Sequence, residues 1–147
     1  MINTFLARLR DDRGFGAVET AIITPVVLLV LLLVLAAGRL ASANLSVDSA
    51  ASAAARAASL ERSGPSAGSA AHQAATGTLD QRGTTCASTR ISPDTSGFAT
   101  AVGTHSSVTV TVTCTVALSD LAVPGVPGTK TITATATSPI DRFRGRQ

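Results

Sequence analysis

The chain has 147 residues, a formal net charge of +3, no Trp or Tyr and only four Phe. Once an apolar run near the amino end is set aside, about a hundred residues remain, enough for one small domain with a thin core. The basic residues gather at the two ends rather than along a face, and stacking aromatics are scarce, so composition argues against a nucleic-acid interface.

Met1 to Gly14 form a polar, basic lead in which Arg8, Arg10 and Arg13 stand against Asp11 and Asp12. From Ala21 to Gly38 every residue is apolar or small except Thr24. At the helical rise that run covers about 27 Å, close to the hydrocarbon thickness of a bilayer. Beyond it Arg39 is the only basic residue before Arg56. The Lys/Arg bias therefore places the amino end in the cytoplasm and the remainder outside.

The helical pattern continues past Arg39 through an Ala-rich stretch of good helix formers. The expectation is one long helix over residues 15–60, with its transmembrane part over about 17–38 and a tolerated kink at Pro25. Its outer half carries a stripe at Val47, Ala51, Ala54 and Ala58, with Asn44, Asp48, Ser52 and Arg56 on another face. Ser63, Gly64 and Pro65 read as its stop. Residues 61–83 read as a linker with a short helix around Ala70 to Ala75.

Residues 84–147 read as an extracytoplasmic β-domain. A first strand is expected over Thr84 to Ile91, carrying Cys86, with a turn at Ser92, Pro93 and Asp94. The clearest strand runs from Ser107 to Leu118, where Val108, Val110, Val112, Cys114, Val116 and Leu118 alternate with smaller or polar residues. After a Pro/Gly connection from Pro124 to Gly128, Thr129 to Ser138 alternates again, with Ile132, Ala134 and Ala136 inward. The fold class is then α+β, a long transmembrane helix extending outward and packed on a small antiparallel sheet.

Cys86 and Cys114 are the only cysteines, and both lie beyond the span, where an oxidising compartment allows them to pair. Joined, they close a loop worth about 3.5 kcal/mol in the chain-entropy model. The alternative is two free thiols; two cysteines are too few for a zinc site, and neither histidine has ligand spacing to them.

Glu19 stands at the lip of the apolar run, where a lone carboxylate is costly unless paired. Gly14 followed by Phe15, with Glu19 fifth in the sequence that cleavage between them would leave, resembles the type IV prepilin signature. Val18 and Glu19 before the apolar run, with Pro25 six residues after the glutamate, resemble more specifically the TadE-like minor pseudopilins of tight-adherence (Flp-type) pilus systems. The resemblance implies a prepilin peptidase acting between Gly14 and Phe15 and exposing a new amino group. It also implies a charge pair between Glu19 and the Phe15 amine of a neighbouring pilin or pseudopilin subunit, and a role in pilus assembly or secretion. It implies no cofactor.

Other readings of the same residues stay open. Glu19 can snorkel to headgroups as part of a plain signal anchor. Ala41, Ser42 and Ala43 form an A-x-A site, so a cleaved secretory signal ahead of a small β-domain with a binding role is an alternative. His72, His105, Asp80, Asp94 and Asp120 show no spacing that assembles a nucleophile, base and orienter, so no enzyme activity and no small-molecule substrate are expected.

Overall fold

The computed structural model describes residues 13–101, 103–121 and 128–141; of residues 13–18, 120 and 121 it describes the backbone path only. Most of the lead, the connection from Pro124 to Pro127 and the closing Arg142, Arg144 and Arg146 lie outside the described residues.

The first helix, α1, runs over Arg13–Ser59 without interruption, including through Pro25. Proline removes the N–H that would bond the carbonyl of Ala21. One residue earlier the Thr24 hydroxyl donates to the carbonyl of Thr20 at 2.6 Å, a local side-chain bond of the kind that accompanies proline in apolar helices. In the apolar half the large side chains from Ile22 to Leu35 are exposed. In the second half Ala43, Val47, Ala50, Ala51, Ala54, Ala55 and Ala58 are buried, a stripe at three- and four-residue spacing.

Ser63, read as part of the stop of this helix, does not end it, since α1 closes at Ser59; it starts the next. Its extended backbone and its hydroxyl, which accepts from the Ser66 N–H at 3.4 Å, cap α2 over Gly64–Gln81. Proline, read as a breaker, here occupies the first turn, where its missing N–H costs nothing. Residues 61–83 thus carry a helix of 18 residues rather than a short one, held by Ala67, Ala71, Ala75 and Leu79 buried at four-residue spacing. Helix α2 ends in a left-handed glycine: Gly83, at φ 63°, donates to the Asp80 carbonyl and Thr84 donates to the Leu79 carbonyl, both at 3.0 Å.

Three strands, β1 (Ser88–Asp94), β2 (Ser106–Ala117) and β3 (Thr129–Ile140), form an antiparallel sheet in the order β1-β2-β3. The first strand starts later than the sequence suggests. Cys86 lies ahead of it and Pro93 inside it, opposite Val110, which an edge strand tolerates because the missing donor can face away from the ladder. Short 3₁₀ turns cover Ser96–Ala99 and Leu118–Leu121. In the first of them a side chain at Gly97 would collide with the Ser107 carbonyl, so the turn lies directly on β2 and seats Phe98 in the core.

The sheet has two faces of opposite character. Val108, Val110, Val112, Cys114 and Val116 are buried, with Ile132 and Ile140 from β3, against the Ala stripe of α1. On the other face threonines meet across the β2–β3 ladder: Thr109 with Thr137, Thr111 with Thr135, Thr113 with Thr133 and Thr115 with Thr131, at 2.9, 3.0, 3.3 and 3.4 Å between hydroxyls. Both helices lie on the valine side, giving the α+β layer arrangement expected from the sequence.

Candidate functional site

Glu19 sits on the exposed surface of α1 at the start of the apolar half. Gly14 and Phe15 lie in the first turn of the same helix, so the bond between them is helical in the intact chain; their side chains fall outside the described residues. Phe15 and Glu19 are four residues apart and therefore share a helix face. Two glycines, Gly14 and Gly16, weaken that turn by about 1 kcal/mol each relative to alanine.

From Glu19 onward α1 is long and apolar enough to cross a membrane, and the apolar window is wholly unburied in the fold. A core helix of a soluble protein would be covered; here nothing among the described residues covers it. The helix continues as the back of the β-domain, so the apolar segment and the domain share one helix. Ala43, the end of the A-x-A site, is buried mid-helix under the core, and cutting after it would sever α1 where the outer domain packs on it.

Cys86 and Cys114 are joined, with Cα atoms 5.5 Å apart, within the ordinary span for a disulfide. Cys114 is in phase with the buried valines of β2, and Cys86, partly buried, belongs to the connection from α2 to β1. The bridge pins that connection to the central strand just where the Ala87 N–H bonds the Thr115 carbonyl at 2.7 Å.

Among the described residues no three His, Cys, Asp or Glu side chains gather as a metal site. His72 and Asp80 share α2 but stand eight residues apart, about two turns, while His105 precedes β2 and Asp94 ends β1, so the four are spread over three parts of the fold. Asp94 has its own structural partner. Its carboxylate accepts from Ser96, with a 3.0 Å bond to the backbone N–H, and this contact holds its pKa below the usual 3.8.

The fold defines an α+β class in which one helix, apolar and long enough to cross a membrane, is continuous with a small disulfide-linked domain. Residues 14–56 match the model of the family described as TadE-like protein, the family that the sequence resembles. The match begins at Gly14 and ends three residues before α1 does; the sheet lies outside it. No curated protein and no solved structure gives a significant match.

Proposed function

We propose that the protein is a minor, TadE-like pseudopilin subunit of a tight-adherence or type IV-like pilus assembly or secretion system. The observation that carries this reading is the coincidence of the family match with α1: the matched segment starts at the Gly14–Phe15 bond and includes the whole uncovered apolar run from Ile22 to Leu35. In this role the amino end is cytoplasmic, the β-domain is outside, and a prepilin peptidase opens the glycine-weakened first turn. The new Phe15 amine pairs with Glu19 of a neighbouring subunit, because a carboxylate in an apolar lip needs a cationic partner at its own depth. The role is one of assembly and not of catalysis.

Amino-terminal sequencing of the membrane-extracted protein tests the processing step. A start at Phe15 is expected. A start at Asn44 would identify a secretory signal, and an intact lead a plain anchor; either result contradicts the processed pseudopilin.

A further inference from the structure

The return of α2 brings a second arginine to the foot of the outer domain. From Arg39 to Ser59 α1 climbs about 30 Å, and α2 descends about 27 Å over its own length, so the two ends fall at nearly the same height. There Arg39, the first charged residue after the apolar run, and Arg82, the cap of α2, line one cleft of about 200 Å³. Ser42, Thr84 and Thr85 add hydroxyls, and Val116 closes it from β2. The left-handed Gly83 turns the chain so that residues on both sides of it reach the cleft. Lys130 is the register partner of Val116, and as an alternate residue to the buried Ile132 it belongs to the same sheet face. Asp80, on the last turn of α2, lines the neighbouring cleft instead.

We propose that this cleft binds the phosphate of an anionic phospholipid in the outer leaflet. The proposal rests on α1 crossing the membrane with its outer half outside, since only then does Arg39 stand at headgroup depth. Arginine's planar fork suits two phosphate oxygens at once, and hydroxyls complete the shell with neutral donors. A lone arginine at the end of a span snorkels to any headgroup. Arg82 is different: it is separated from Arg39 by 42 intervening residues and reaches the cleft only through the fold. The bound lipid would fix the tilt of the domain on the membrane through α1.

The test uses the full chain in nanodiscs of mixed phosphatidylglycerol and phosphatidylcholine, with retained lipids counted by native mass spectrometry. Insertion into pure phosphatidylcholine is checked first, and failure there would fault the membrane reading rather than the cleft. Wild type should retain phosphatidylglycerol preferentially. Arg82→Gln should lower that preference about fivefold, the worth of one basic residue near an anionic surface, and Arg82→Lys should keep most of it. Lys130→Gln should act in the same direction more weakly. Equal retention of the two lipids, an unchanged preference in Arg82→Gln, or an equal loss in Arg90→Gln on the opposite sheet face would overturn the proposal. So would displacement of the lipid by millimolar inorganic phosphate, which would identify a site for free anions.

Discussion

Between Ala21 and Gly38 α1 leaves its Leu, Ile and Val side chains uncovered, whereas between Ala43 and Ala58 the same helix buries alanines, a single valine and Ser46. In water this would be backwards, since large apolar groups gain most from burial. It becomes intelligible when the first half has lipid as its solvent and the second half has a sheet as its neighbour. Lipid needs bulk and tolerates any shape; a sheet lying close on a helix needs small residues in exact places. Sensitivity to substitution should therefore be opposite in the two halves.

The largest expected effect belongs to the outer half, where the thin Ala core depends on the bridge. Cys86→Ser should lower the stability of the outer domain by about 3 kcal/mol, because the open loop regains chain entropy. Cys86 is preferred to Cys114 for this test because a hydroxyl at the fully buried Cys114 would add a separate desolvation cost. With no Trp or Tyr in the chain, far-UV circular dichroism is the readout. An unchanged unfolding midpoint would show that the bridge is dispensable.

Next comes a paired change of side-chain size. Ala54→Leu inserts bulk into a fully buried position of the core and should cost about 1–3 kcal/mol. Leu31→Ala removes comparable bulk from an exposed position and should leave domain stability unchanged, shifting insertion by only about 0.5 kcal/mol. Equal effects in thermal unfolding would abolish the distinction between the halves.

Smaller effects belong to the polar rim of the sheet. A double-mutant cycle on Thr111 and Thr135, each changed to Val, should return a coupling of about 0.2–1 kcal/mol. Asp94 supplies a pH signature. Its folded pKa is depressed, so the stability from its Ser96 contact is present at neutral pH, begins to fade near 3.8 and is lost as pH falls through the lower folded value. Asp94→Asn should flatten the acid limb of the melting curve below pH 3.8. Parallel acid limbs for the two proteins would remove Asp94 from the account.

Most of this contrast is legible in the sequence. The span follows from an unbroken apolar run, and β2 and β3 follow from Thr/Val and Thr/Ala alternation, which needs only a period of two. Helix α2 is harder to see, because Thr76, Gly77 and Thr78 are poor helix formers; tertiary burial of Ala75 and Leu79 overrides them. The Gly-Pro pair after Ser63 has two opposite meanings, and only the serine cap settles which applies. The start of β1 is displaced for a related reason: edge position, invisible locally, decides whether Pro93 is allowed. At the candidate site, the Gly14, Phe15 and Glu19 motif is local and can be read directly. The cleft at Arg39 and Arg82 is not local, since it exists only because one helix returns alongside another.

The most direct test of the account is Glu19→Gln followed by co-purification with partner pilin or pseudopilin subunits. Insertion depends on the summed apolarity beyond Glu19, while lateral pairing depends on its charge. The account predicts a variant that remains in the membrane with a folded, disulfide-linked outer domain, yet fails to retain its partners or to support piliation. Wild-type piliation and an unchanged set of partners would contradict it, leaving Glu19 as a residue that merely marks where the membrane begins.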